Sequence, residues 1–240
     1  MKLCLIILII LLFLLIICLS FLACRFKSKT KNVSHYKQIQ DLGYAQMKDP
    51  YDRPFILKDF MTRDHCQQII NYSRPKLLDS EVIGGKHKNI RNSQQCWIPK
   101  NHPLSKTLFD KVSRMFNIPF ENGEDLQVVR YEPGQFYNEH HDSCCDSNDK
   151  CRAFVKHGGQ RVITVLIYLN SEFSDGMTYF KNLDLKVKPD PGSAIVFFPL
   201  AKGTTKCHPL ALHAGMPVTS GEKWVANLWF RQGAFLASKR

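Results

Sequence analysis

The sequence predicts a mainly β fold with flanking helices (α+β), built on a double-stranded β-helix, or jelly roll, and preceded by an N-terminal transmembrane helix. Three observations predict it. The run from Leu3 to Cys24 carries no charge. Two amphipathic helical stretches follow it, before residue 122. After Asn122-Gly123 the pattern changes to short runs rich in Val, Ile, Thr and Tyr, separated by Gly, Pro and Asp turns. Helices followed by about eight short strands suit two packed sheets with the helices outside.

At about 1.5 Å per residue, a helix from Leu3 to Cys24 spans roughly 33 Å, enough for a hydrocarbon core near 30 Å. A cleaved signal peptide has a shorter apolar core, about 7–15 residues. Residues 1–24 therefore read as a retained anchor, with the membrane as a partner. Residues 25–50 are polar without a clear period and read as a juxtamembrane linker. Arg25, Lys27, Lys29, Lys31 and Lys37 fall together there, which by the positive-inside rule places the rest of the chain in the cytosol. Residues 51–235 are long enough for one domain with its own core.

Thr62 with Asp64 starts a helix on which Cys66, Ile69 and Ile70 share a face. A second helix over Ser105–Asn117 has Leu108, Phe109, Val112, Met115 and Phe116 as its stripe. Strands are expected over Leu126–Tyr131, Phe136–Asp142, Arg161–Asn170, Thr178–Phe180, Leu185–Lys188, Ser193–Phe198, Ala211–Val218 and Lys223–Arg231. On the last, Lys223, Val225, Asn227 and Trp229 face inward and Trp224 packs outside.

The net charge of +12 permits anionic partners. No basic stripe interleaved with aromatics is present, which argues against nucleic acid. Cys66, Cys96, Cys144, Cys145, Cys151 and Cys207 follow the apolar segment. They suit bridges in an oxidising lumen or free thiols in a reducing compartment. Cys144, Cys145 and Cys151, with Cys207 or His208, match no zinc-site spacing; a disulfide or solvent-side thiols fits them better.

His140 and Asp142 are separated by one residue, so on a strand they share a face. With His213 as a distal ligand they make two imidazoles and one carboxylate, the facial triad of non-haem iron(II) oxygenases. That triad leaves positions for a chelating 2-oxo acid and for dioxygen. Lys223, ten residues after His213, supplies a cation for the far carboxylate of a 2-oxo diacid. His141 points to the opposite face from His140.

Four blocks then resemble the prolyl 4-hydroxylases, in order and at plausible spacing. They are Val129-Arg130-Tyr131 with Gly134 to Asp142, Arg161 to Leu169, Asp175-Gly176-Met177-Thr178-Tyr179-Phe180, and His213 to Val218 with Gly221 to Trp229. The resemblance covers about residues 52–232, with the iron and 2-oxoglutarate core over about 122–232. It is greatest to the short single-domain members of algae and large DNA viruses. It implies a 2-oxoglutarate-dependent dioxygenase in which His140, Asp142 and His213 hold Fe(2+) and Lys223 binds 2-oxoglutarate beside Tyr131 and Thr178. Tyr137, Arg161 and Trp229 would face a proline-containing peptide or protein, and L-ascorbate would be the reductant. It also implies a luminal, endoplasmic reticulum location, against the orientation that the basic cluster gives. Asp175 replaces the first Gly of the family's Gly-Gly pair, and Arg231 stands where the peptide hydroxylases often have His. The alternatives are the same chemistry on another residue such as lysine, a zinc-stabilised interaction domain, or a non-catalytic membrane-tethered module of the same fold.

Overall fold

The computed structural model describes residues 51–82, 85–144 and 146–235. The anchor expected over 1–24 and the linker over 25–50 lie outside the described residues. Among the described residues, no helix is long and apolar enough to cross a membrane.

In chain order the elements are β1 (Phe55–Leu57), α1 (Arg63–Ser73), β2 (Leu78–Asp79), β3 (Gln94–Ile98), α2 (Pro103–Phe116), β4 (Leu126–Tyr131), β5 (Tyr137–His140), α3 (Asp149–Val155), β6 (Arg161–Tyr168), β7 (Phe173–Asp175), β8 (Thr178–Phe180), β9 (Leu185–Val187), β10 (Ala194–Phe197), β11 (His213–Gly215), β12 (Val218–Gly221) and β13 (Lys223–Arg231). The strands form a seven-stranded sheet of order β1-β10-β6-β13-β4-β3-β2, a four-stranded sheet of order β5-β11-β8-β9, and a ribbon of β7 with β12. This is the expected mainly β jelly-roll architecture with few helices.

Alternation divides the large sheet into two faces. On β13, Trp224, Ala226, Leu228 and Phe230 pack with Ile69, Phe109 and Val112 of the helices. The other face puts Val129, Leu166, Tyr168 and Val225 against Phe180 of the small sheet. Both helices begin as their sequences dictate. The Thr62 hydroxyl accepts from the His65 amide, capping α1. The His102 ring caps α2, and Pro103 occupies its first turn, so this helix starts earlier than its apolar stripe alone implies.

Two expected strands are altered and four strands are additional. The Phe136–Asp142 strand closes at His140, leaving Asp142 just past its end. The Ala211–Val218 run breaks into β11 and β12, with a 3-10 turn over Pro209–Ala211 before them. β1, β2, β3 and β7 are additional. Cys144 and Cys151 are bridged, whereas Cys66 and Cys96 are free and buried. The bridge removes two thiols that a zinc site would need.

Candidate active site

β5 and β11 pair antiparallel with His140 directly opposite His213. Each imidazole turns Nδ1 to a backbone carbonyl, His140 to Asn138 at 2.8 Å and His213 to Ala211 at 3.0 Å. A carbonyl only accepts, so the proton sits on Nδ1 and Nε2 is free to ligate. Asp142 Oδ1 lies 3.8 Å from His140 Nε2 and 3.9 Å from His213 Nε2. One ligand atom from each of the three lies within 4.8 Å of the others, as one ion requires.

The second oxygen of Asp142 is already engaged. Its Oδ2 accepts from Thr164 Oγ1 at 2.6 Å and from Trp229 Nε1 at 3.1 Å. Thr164 and Trp229 are cross-strand partners on β6 and β13. The large sheet thus orients the carboxylate whose neighbouring imidazoles come from the small sheet. Burial alone would raise this carboxyl, but His213, His140, Arg161 and the Thr164 hydroxyl outweigh it and hold Asp142 near a pKa of about 2. Burial, then the facing His213, depresses His140 well below the usual imidazole value, so it is neutral and able to bind metal.

Lys223 is buried opposite Tyr131. Its ammonium lies 5.1 Å from the Tyr131 ring centre and 5.2 Å from that of Tyr168. No carboxylate pairs with it among the described residues. Burial, and then Lys188, push it down to about 7. The Tyr168 hydroxyl lies 2.8 Å from Thr178 Oγ1. A buried cation without an internal partner fits a co-substrate that brings its own carboxylate. Two imidazole nitrogens and one carboxylate oxygen fit iron(II).

The triad, Lys223, Tyr131, Thr178, Tyr137, Arg161 and Trp229 all line one cavity of about 890 Å³. The Tyr137 ring stacks on His140, with centroids 3.5 Å apart. Arg161 lies 3.5 Å from the Trp229 ring centre. It reaches the cavity because of a β-bulge: β13 pairs Phe230 with Ile163 but Arg231 with Arg161, skipping Val162. Arg161 then grips Glu124 through Nε at 2.6 Å and Nη2 at 2.9 Å. Arg231 Nε reaches the same carboxylate at 2.7 Å. Burial alone would raise Glu124, but the two guanidiniums outweigh it and lower it.

The structure also supplies residues that the sequence did not reveal. Thr164 looks like an ordinary strand residue. Arg91 is buried, lines the cavity and stands 4.6 Å from the Tyr137 ring centre. Gln95, Gln127 and Asn227 form an amide chain along its wall, Asn227 donating to Gln127 at 3.0 Å and Gln127 to Gln95 at 2.6 Å. A signal existed only for Asn227, which alternates with Val225 and Trp229. His141 was expected to turn away from the site; it also lines the cavity but is not in the metal group.

Comparison with known proteins gives a consistent result. Residues 126–231 match the 2OG-Fe(II) oxygenase superfamily. The protein of Acanthamoeba polyphaga mimivirus named "Putative prolyl 4-hydroxylase" is 56% identical over 214 residues, covering 85% of this chain and 88% of that protein. Prolyl 4-hydroxylase 1 of Arabidopsis thaliana is 32% identical over 203 residues, covering 76% of this chain and 70% of that protein. Among solved structures, the 2-oxoglutarate complex of the viral collagen prolyl hydroxylase from Paramecium Bursaria Chlorella virus-1 has a TM-score of 0.59 at 32% identity, covering 74% of this chain and 94% of that one. Matches of this extent, on a chain whose own strands bring two histidines, an aspartate and a buried lysine into one cavity, place it in the prolyl 4-hydroxylase family of iron(II)- and 2-oxoglutarate-dependent oxygenases.

Proposed function

We propose that this enzyme hydroxylates peptidyl proline at carbon 4. The observation that carries the reading is the placement of Lys223 and the triad in one cavity, with the Tyr137, Trp229 and Arg161 wall beside them. His140, Asp142 and His213 hold iron(II), and Lys223 anchors the far carboxylate of 2-oxoglutarate beside Tyr131 and Thr178. Bound iron(II), with 2-oxoglutarate and dioxygen, supplies the oxidising equivalent for C–H hydroxylation, with succinate and carbon dioxide as by-products.

The remaining work belongs to the chain. The carbonyls of Asn138 and Ala211 fix both imidazole rings. Thr164 and Trp229 hold one carboxylate oxygen so that the other faces the histidines. Tyr137, Arg161 and Trp229 form an aromatic and cationic wall that orients the proline ring and its peptide carbonyls. Ascorbate is the reductant assigned to restore oxidised iron. Residues 1–24 tether the domain over 51–235 to the endoplasmic reticulum membrane through the linker over 25–50.

Mass spectrometry of a proline-rich peptide panel, incubated with iron(II), 2-oxoglutarate and ascorbate, tests the substrate. A gain of one oxygen on proline is expected; oxygen on lysine instead would overturn it. Fractionation tests the tether: full-length protein should sediment with membranes, and protein lacking residues 1–24 should not.

A further inference from the structure

The wall of the cavity beyond the metal centre holds more positive charge than it neutralises. Arg161 and Arg231 share the single carboxylate of Glu124. Arg91 has no acidic partner among the described residues: its Nε donates to Ser93 Oγ at 2.9 Å and its Nη1 to the Glu81 backbone carbonyl at 3.4 Å. All three line the cavity. Asp142 does not redress the balance, because its carboxylate belongs to the metal. The acids at the rim are Asp79, which pairs with Lys88 at 3.5 Å, and the exposed Glu81, with Lys86 also on the rim.

The guanidiniums also have hydrogens to spare. A guanidinium carries five N–H donors in a fixed fork. Arg231 uses Nε on Glu124 and Nη1 on the carbonyls of Phe154 and Gly159, at 2.9 and 2.6 Å. Among the described residues, both hydrogens of its Nη2 are left. Arg161 commits Nε and Nη2 to Glu124 and keeps only a 3.4 Å contact from Nη1 to the Asp142 carbonyl. Two adjacent buried guanidiniums repel each other, and one carboxylate satisfies only part of the pair. A second carboxylate brought by the substrate would complete it.

We propose that Arg231, acting with Arg161, makes this enzyme select proline peptides that carry a carboxylate beside the target residue. This rests on the peptidyl-proline reading above. Arg231 acts here as a specificity-determining residue: it neutralises an incoming anion where an uncharged side chain at the same position would leave the carboxylate desolvated and unpaired.

The test is a set of end-blocked peptides that differ only at the residues flanking proline, with Glu, Gln or Lys. A further member has a neutral flank and a free C-terminal carboxylate, to separate side-chain from terminal carboxylates. Catalytic efficiency is read by mass spectrometry of the hydroxylated peptide. The Glu peptide should exceed the Gln peptide by about tenfold, a difference of about 1.4 kcal/mol, and the Lys peptide should be poorer than both. If only the terminal carboxylate confers the advantage, the proposal holds with that source. In Arg231→Gln the Glu-to-Gln ratio should fall close to one, and Arg231→Lys should restore part of it. The apparent constant for 2-oxoglutarate should stay within about twofold, which separates lost selectivity from general damage. Equal hydroxylation of proline in all wild-type reactions would overturn the selectivity while leaving the peptidyl-proline reading intact. Oxygen added to no proline, despite iron-dependent consumption of 2-oxoglutarate, would overturn both. The wild-type panel decides even if the Arg231 variants fail to fold.

Discussion

The Trp229 indole donates to Asp142 Oδ2 at 3.1 Å, tying β13 to the carboxylate of the candidate metal group 87 residues earlier. Thr164 holds the same oxygen from the adjacent strand at 2.6 Å. These two donors leave Oδ1 for the metal. Removing them, as Thr164→Val and Trp229→Phe, should weaken iron binding by about 10–100-fold, the usual effect of losing a group that orients a ligand. Titration of the purified variants with iron(II), followed by a bound-metal assay, checks this. Unchanged affinity in the double variant would show that these contacts do not orient Asp142.

Asp142→Ala should abolish turnover. Two neutral imidazoles neither offset the charge of iron(II) nor supply the third position of the triad. Substrate-dependent succinate release near the wild-type rate in that variant would refute the ligand set.

Lys223→Ala should raise the 2-oxoglutarate requirement steeply. Deleting one partner of a buried ion pair costs on the order of 3–5 kcal/mol, or roughly two to three and a half decades in affinity. A change of less than fivefold would mean that the co-substrate carboxylate lies elsewhere.

The same lysine predicts a pH dependence. Its ammonium titrates near 7 in the folded protein rather than at 10.5, because burial opposes the charge. Below about 7 the group is charged and binds a dianion directly. Above it, binding must take up a proton, so 2-oxoglutarate affinity should fall as pH rises from about 7. The unliganded protein shows the opposite sign. Between about 7 and 10.5 the unfolded chain binds more protons, so this lysine's contribution to stability rises with pH over that window. Calorimetry in buffers of different ionisation enthalpy should detect the proton uptake at pH 8, and Lys223→Met should remove it.

His213→Ala should lose iron-dependent activity, while His208→Ala keeps most of it. His208 stacks on Tyr51, with ring centres 4.2 Å apart, and caps the 3-10 turn over Pro209–Ala211. Its role is structural, whereas His213 faces His140 across β5 and β11. Activity in His213→Ala with none in a folded His208→Ala would reverse this assignment.

The sequence made the metal site legible because its chemistry is local in pattern. His140 and Asp142 are two apart, and Lys223 follows His213 at a fixed interval. The alternation along β13 also separated Trp224 from the cavity side. What stayed hidden depends on partners far away in the chain. Thr164 is indistinguishable from its β-branched neighbours until Asp142 is placed beside it. The aim of Arg161 depends on a bulge at Val162 that only the pairing with β13 defines. β3 escaped notice because Gln94 and Gln95 break the apolar pattern, yet Gln95 is polar for a reason: it ends the amide chain in the cavity wall. Helix α3 has only seven residues. It starts at an Asn148 cap that the sequence reading did not pick out, and the bridge from Cys144 to Cys151 that pins it depends on a pairing the sequence left open.

Among the described residues β13 comes last in chain order, yet it lies at the centre of the large sheet, between β6 and β4. Until it emerges, those two strands have no common partner and expose edges that favour association with other chains. Vectorial folding therefore cannot complete this domain in stages. The iron site, the lysine pocket and the main sheet all wait for the same nine residues. A nascent chain stalled before Lys223 should be protease-sensitive throughout its large sheet, and a premature stop there should yield aggregate rather than a shortened enzyme.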